Sequence, residues 1–343
     1  MKKILALIFA LALASGVFSC GTKKGDSGVS PAPPEGGAAA PADSDDAPAV
    51  GIVQYAETPA LDAAREGFIK ALADNGYVDG QTVNITAGNA AADSSGLAAI
   101  ADQFIGDKVD LILAIATPAA QAVAGKTGDI PILGTAVTDY VTAGLVDSND
   151  TPGRNVSGTS DINPVEDQLD LIFKFHPNAK TIGFVYNSGE DNSKLQIDMA
   201  KAYIERLELT WKEITVTSSN DVRQAVISIA GEVDALYLPT DNTLAAAMPA
   251  VCGVTADSGT PVICADTGMV KSGGLAALGI DYYRLGYQTG LMAVEVLRGN
   301  ASPATMPVQY STNFVYAVNA EAANAIGIAI PPELERYIID VSG

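Results

Sequence analysis

The 343-residue chain carries 20 Lys and Arg against 40 Asp and Glu, a formal charge of −20, with one histidine and three cysteines. An acidic chain without a basic cluster argues against a nucleic-acid partner and against electrostatic adhesion to an anionic membrane. It also disfavours dianionic ligands such as sugar phosphates. A single histidine and no clustered Cys/His set leave no zinc-site pattern, and no residue is predicted to bind a metal or cofactor.

Lys2 and Lys3 open the chain, and an apolar run follows from Ile4 to Phe18. That run is shorter than the about 20 residues a bilayer span needs. Its charge, length and small-residue ending are those of a secretory signal, predicted over residues 1–19. Val17-Phe18-Ser19-Cys20 resembles a bacterial lipobox, loosely because Phe18 is bulky, and makes Cys20 the predicted lipidation site. Residues 20–49 are rich in Gly, Ala, Pro, Ser and Asp without apolar periodicity and read as a disordered tether. Removing the signal takes Lys2 and Lys3 and moves the charge from −20 to −22, so attachment would rest on lipid. The expected location is extracytoplasmic, on a bacterial membrane.

The remaining chain, about 290 residues, is long enough for two domains. In chain order the predicted elements are strand 51–54, helix 60–75, strand 82–86, helix 94–105, strand 111–116, helix 118–124 and strand 130–133. A polar stretch at 153–158 marks the expected boundary. Beyond it come helix 164–175, strand 181–186, helix 192–207, strand 210–216, helix 219–230, strand 235–238, helix 243–252, strands 261–264 and 275–280, and helix 284–297. The strands are brief, rich in Val, Ile and Leu, and not strictly alternating, as strands buried on both faces are. Gly76 and Gly231 stand where helix ends favour a left-handed residue. Strand–helix repetition twice over predicts a doubly wound α/β fold in two lobes.

Ligands of open α/β sheets bind beyond the carboxyl ends of the strands. Those ends carry Gln54 and Thr58, Thr117-Pro118-Ala119, Thr138-Asp139, Tyr186-Asn187, Thr240-Asp241-Asn242, Ala265-Asp266-Thr267 and Asp281-Tyr282-Tyr283. Each hydroxyl or carboxylate taken singly is as well explained by helix capping; the set, drawn from both halves, points to a cleft. Thr117-Pro118 reads as a threonine N-cap with proline at the first helical position, a positive helix end suited to a carboxylate. Asp281, Asp241 and Asp139 are candidates to hold an ammonium, with Asp281 foremost. Tyr55, Tyr140, Tyr186, Tyr282 and Tyr283 offer rings either to a ligand or to packing at the lobe rim.

No nucleophile elbow, Walker motif or dinucleotide fingerprint stands at a strand–helix junction, so no catalytic residue is assigned. His176 falls in a turn before a strand. Cys252 and Cys264 either form a disulfide or stay as two buried thiols; their spacing does not decide.

These junctions resemble the ABC-transporter substrate-binding family that includes tryptophan- and other aromatic-amino-acid-binding lipoproteins. The resemblance runs from about Gly51 to Leu334. It is carried by Gln54 with Glu57, Pro59, Leu61 and Asp62; by Thr117-Pro118-Ala119-Ala120-Gln121; and by Ala136-Val137-Thr138-Asp139. Further carriers are Gly158-Thr159-Ser160-Asp161, Tyr186-Asn187-Ser188-Gly189-Glu190 with Asn192-Ser193, Pro239-Thr240-Asp241-Asn242 and Gly279-Ile280-Asp281-Tyr282-Tyr283. It implies a type I periplasmic-binding-protein fold, monomeric, whose lobes close over a small amino-acid-like ligand and present it to a permease and its ATPase. It also implies lobes of residues 50–155 plus about 283–310 and of 156–282 plus about 311–343, joined by a multi-crossing hinge. Gln54, Thr58, Asp62 and Asn192 join the expected ligand residues on this basis. Thr58 stands where the family often has histidine, which leaves ligand identity open. A sensory module for a signalling partner and a binder of nucleosides or other solutes are the alternative readings.

Overall fold

The computed structural model describes residues 47–341; the predicted signal, Cys20 and the tether as far as residue 46 lie outside the described residues. The first half runs β1 (Ala49–Gln54), α1 (Pro59–Asp74), β2 (Asn84–Asn89), α2 (Ser94–Asp107), β3 (Leu111–Ile115), α3 (Thr117–Ala124), β4 (Ile132–Val137) and β5 (Val156–Ser160). The second runs α4 (Val165–Phe175), β6 (Thr181–Asn187), α5 (Asp191–Arg206), β7 (Thr210–Val216), α6 (Ser219–Ala230) and β8 (Ala235–Leu238). It continues through α7 (Asn242–Ala246), α8 (Met248–Ser258), β9 (Val262–Cys264), α9 (Thr267–Lys271) and β10 (Ala276–Ile280). Then come α10 (Tyr282–Leu297), β11 (Gln309–Tyr310), β12 (Phe314–Val318), α11 (Ala320–Ala325) and a 3-10 turn at Pro332–Tyr337.

Two six-stranded sheets result, ordered β11-β5-β4-β3-β1-β2 and β12-β10-β9-β8-β6-β7. The first is parallel throughout; the second is parallel except for β12, which pairs antiparallel with β10. Central strands such as β3, sequence LILAI, are buried at every residue, because helices cover both sheet faces and leave no side for polar groups. The chain passes between the sheets after β5, after β10 and after β11. Three crossings are what a hinge between two closing lobes needs.

Several boundaries differ from the sequence expectation. The stretch expected to divide the lobes contains β5, which pairs with β4 in the first sheet, so the first crossing lies beyond Ser160 and not at 155. Ser157, Thr159 and Ser160 are nonetheless buried, because tertiary partners satisfy their hydroxyls. Ser157 Oγ donates to Met306 O at 2.6 Å, and Ser160 Oγ donates to Thr138 O at 2.8 Å. Thr159 Oγ1 lies 2.7 Å from Thr289 Oγ1 and 3.2 Å from Thr135 Oγ1. For the same reason β4 runs through Gly134-Thr135 to Val137 and does not stop at 133. The helix expected over 243–252 is two helices broken at Ala247, where Pro249 in the first turn of α8 cannot donate to a preceding carbonyl. Gly76 takes the left-handed conformation at φ +92°, whereas Gly231 stays right-handed at φ −79°. Cys252 and Cys264 are free thiols, and His176 terminates α4.

In α10, Leu285, Met292, Ala293 and Val294 pack into the core of the first sheet. The α10 contact with α1 is backbone against backbone. A Cβ on Gly67 would stand 2.0 Å from Tyr283 O, and one on Gly286 would stand 1.8 Å from Ala64 O. The helix that leaves the second crossing is thereby fixed to the helix that opens the cleft. Gly286→Ala should cost about 1–3 kcal/mol or more by overpacking, read as a lower urea midpoint. Gly106→Ala, which meets no atom within 4 Å, should leave that midpoint unchanged or raised.

Candidate ligand-binding cleft

The carboxyl ends of strands from both sheets meet at one point between the lobes. There a cavity of about 10 Å³ is lined by Thr58 and Leu61 of the α1 entry, Ala136 at the end of β4 and Thr138 just after it, Asp161 and Tyr282 at two crossings, Asn192 of α5, Thr240, Asp241 and Asn242 after β8, and Asp266 before α9. A space of that size holds a water molecule and no more, so a larger solute enters only when the lobes part.

Local chemistry explains how each side chain arrives there. Thr58 caps α1, its Oγ1 accepting from Leu61 N at 3.2 Å, with Pro59 supplying the fixed φ of a first helical turn. Ala116 and Ala136 adopt left-handed backbone at φ +85° and +56°, each just past a strand or at its end. Such residues cost on the order of 1–3 kcal/mol and concentrate at ligand sites. Ala116 takes the cap position of α3, so Thr117 is the first helical residue and not the expected N-cap. Its Oγ1 instead accepts from Thr138 N at 3.4 Å, tying the ends of β3 and β4 together. Thr138 Oγ1 in turn donates to Asp161 Oδ1 at 3.0 Å, and Tyr282 OH donates to Asp161 Oδ2 at 2.8 Å.

The cavity is acidic. Asp161, Asp241 and Asp266 are all at least 97 % buried, and no Lys or Arg lines the space. Burial raises the Asp161 carboxyl. Burial and then the nearby Glu190 push Asp241 up to about 7, and burial pushes Asp266 up to about 6. Asp241 accepts from Asn187 N, Leu244 N and Ser193 Oγ; Asp266 caps α9 through Met269 N. Glu190 accepts from Asn242 N and Thr243 N, so the positive end of α7 is already occupied by the protein's own carboxylate. Asn192 spends its amide on Glu190 and Thr240 O, and its Oδ1, buried against the cavity, has no partner. Buried carboxylates without a cation and an acceptor without a donor are costly. A ligand ammonium supplies both.

The expected site residues therefore separate. Thr58, Thr138, Asn192, Thr240, Asp241 and Asn242 converge on the cavity. Thr117 and Asp139 line a tight slot beside it, against Asp191 and Asn192. Gln54 and Asp62 are tied to each other at 2.8 Å and to Arg65 beneath α1. Tyr186 points to the β7 edge, donating to Glu213, and Asn187 accepts from Gly189 N in the turn between β6 and α5 while donating to Thr243 of α7. Pro118 and Ala119 form the first turn of α3, with Ala119 in the core. Asp281 caps α10, pairs with Arg284 at 3.2 Å and lines a different cavity. Of the tyrosines, Tyr282 alone lines the central cavity; Tyr140 is buried against Thr159 O, and Tyr283 is 40 % exposed. Asp266 stood in the predicted strand-end set without an assigned ligand role, and Asp161 only among the residues that carry the family resemblance; both follow strands, and the polar reading of β5 concealed the role of Asp161.

Outside the cavity, hydrogen bonds among the described residues also span the lobes: Tyr55 after β1 bonds to Thr243 of α7, and Gln121 Nε2 of α3 donates to Asp191 Oδ2 of α5 at 3.0 Å while also reaching Ala143 O at 3.1 Å. The Gln121–Asp191 bond closes the slot lined by Thr117 and Asn192 and is made only while α3 and α5 stay close.

Known proteins share this arrangement. The family profile for ABC transporter substrate binding proteins matches residues 49–341. A tyrosine-binding protein of Clostridioides difficile is 44 % identical over 277 residues, 81 % of this chain and 80 % of that one. An ABC domain from Streptococcus pneumoniae solved with L-Trp superposes with a TM-score of 0.82 at 39 % identity, covering 86 % of this chain and 100 % of the other. The ligand-free, open structure of a Clostridium difficile substrate-binding protein with adhesive properties gives 0.66 at 45 % identity, covering 85 % and 99 %. The chain thus superposes better on the L-Trp-bound structure than on the ligand-free, open one. With matching residues across nearly the whole described chain, two crossing-linked sheets and a polar cleft between them, this protein belongs to the ABC transporter substrate-binding protein family.

Proposed function

We propose that the protein is the exported, lipid-anchored binding component of an ABC importer for an aromatic amino acid, of the tyrosine or tryptophan kind. The observation that carries this reading is the set of buried carboxylates around Asn192 Oδ1, which a ligand ammonium completes. Asp161, Asp241 and Asn192 take the ammonium. Because Glu190 fills the end of α7, the ligand carboxylate goes to the first lobe, to the Thr117 and Thr138 hydroxyls and the start of α3. Leu61, Ala136, Ala245 and Tyr282 offer the apolar wall for the side chain. Ligand bridging both lobes shifts the open–closed population toward closure, and the permease reads the closed form. The relatives that bind tyrosine or carry L-Trp support the ligand class, and the first twenty residues support export and lipidation at Cys20. Labelling cells with a radioactive fatty acid should mark the wild type and leave Cys20→Ser unlabelled.

A thermal-shift screen over amino acids, nucleosides and sugars should show L-tyrosine or L-tryptophan stabilising the protein by about 2.7 kcal/mol at one hundred times Kd. Stabilisation confined to nucleosides or sugars would sink the amino-acid reading. Asp161→Asn should weaken the amino acid by about 1.5–3 kcal/mol, the range of a hydrogen bond to a charged group.

Closing the cleft without ligand carries a pH signature. Asp241 and Asp266 sit above the ordinary carboxylate range, so the folded free protein binds more protons than the unfolded chain between about pH 4 and 7. Their contribution to stability is full below about pH 4 and is lost as pH rises through 6 and 7. Urea midpoints of the free protein should carry this decline, and Asp266→Asn should flatten it. Ligand ammonium needs the ionised forms, so affinity should rise from pH 5 to 8, with protons released on binding in calorimetry.

Gln121→Ala removes its bond to Asp191 and leaves the residues lining the central cavity unchanged. It should weaken ligand by about 0.5–1.5 kcal/mol through the open–closed equilibrium, with a larger radius of gyration at equal subsaturating ligand. Unchanged affinity and compaction would remove the latch role.

A further inference from the structure

A second cavity, of about 260 Å³, lies on the other side of the α1 entry from the cleft. Its first-lobe wall is Pro59, Ala60 and Ala63 of α1; its second-lobe wall is Thr267, Gly268 and Lys271 of α9 with Val315 of β12; the crossing residues Ile280 to Tyr283 form its floor. That volume approaches the lower end of small-molecule sites, about 300–1,000 Å³, and exceeds the central cavity many times over.

Its charges are unequal. Asp281 is neutralised by Arg284 at 3.2 Å and spends Oδ1 on Arg284 N. Lys271 makes no ion pair among the described residues. Other described cations such as Lys108 and Arg223 also lack an ion pair, but Lys271 is the one among the residues lining this cavity. Beside it, Tyr283 and Val315 are each about 40 % exposed, with Phe314 next to them at 41 %, an apolar rim that water covers at a cost.

We infer that this cavity is a second binding site, for a small organic carboxylate with an apolar body, and that its occupancy favours closed lobes. Lys271 takes the carboxylate; Ile280, Val315 and Tyr283 take the apolar part. Closure is linked because the walls belong to different lobes. α1 is fixed to α10 by the contacts at Gly67 and Gly286, whereas α9 and β12 move with the second sheet. A Cβ on Gly268 would stand 3.2 Å from Ala60 N, so the walls touch in this closed form. Ala60 and Tyr282 line both cavities, so the sites share a wall. Affinities at two linked sites change reciprocally.

The probe is 3-phenylpropionate, which lacks the ammonium that the cleft is proposed to select. Calorimetric titration into the free protein should show one site, with a fall in radius of gyration by scattering. Lys271→Gln should weaken the probe by about tenfold, or 1.4 kcal/mol, and leave L-tyrosine binding unchanged. Val315→Trp, which fills the cavity, should abolish probe binding, and Asp161→Asn should not affect it. No binding by the wild type, binding without compaction, or loss through Asp161→Asn with Lys271→Gln unaffected would each overturn the inference. Because the probe is read on the free protein, a failure of L-tyrosine to bind would bear on the cleft alone.

Discussion

Three carboxylates buried between two lobes, with no protein cation among them, are the constraint on which the rest of this molecule turns. Burying a charge without a partner costs several kcal/mol, and a carboxyl evades the cost by keeping its proton. Burial raises both Asp241 and Asp266 toward the protonated form. The cleft is thus closed but electrostatically incomplete. In the proposed mode of binding, a ligand ammonium would replace those protons and favour closure. A trap of this kind needs no catalytic group: its selectivity is for what completes the charge.

The fold serves that constraint by placing the acids on different bodies. Asp241 and Asp266 belong to the second sheet, and Asp161 lies on the first crossing, held by Thr138 and Tyr282. Opening the lobes lets water reach the cluster; closing them expels it. The helical ends that commonly hold anions are divided in the same spirit. Glu190 fills the α7 terminus in the second lobe. In the proposed binding mode the ligand carboxylate goes to the first lobe, so opposite ends of the amino acid would be held from opposite lobes.

The close α1–α10 contact makes the motion rigid. With glycines at 67 and 286 the two helices meet through backbone, and no side chain remains to yield. Movement is therefore concentrated in three short crossings. The Gln121–Asp191 bond and the hinge-side cavity both report the lobe angle, one by being made on closure and the other by having walls that close together.

The order of strands and helices was legible in the sequence because short runs of Val, Ile and Leu signal burial without help from distant residues. β7, β8 and α6 have the bounds their own residues imply. The two-lobe class and the polar character of the strand ends were legible for the same reason. Tertiary structure alone decided β5, since Val-Ser-Gly-Thr-Ser is polar until Thr135, Thr289, Met306 and Thr138 satisfy it. It alone separated the polar junction residues into cavity, cap and strut. A Thr or Asp after a strand favours a helix N-terminus whatever else it touches, so sequence could not tell Asp161 and Asp241 from Asp281. What separates them is which side of the α1 entry each one faces, a property of packing between segments more than a hundred residues apart.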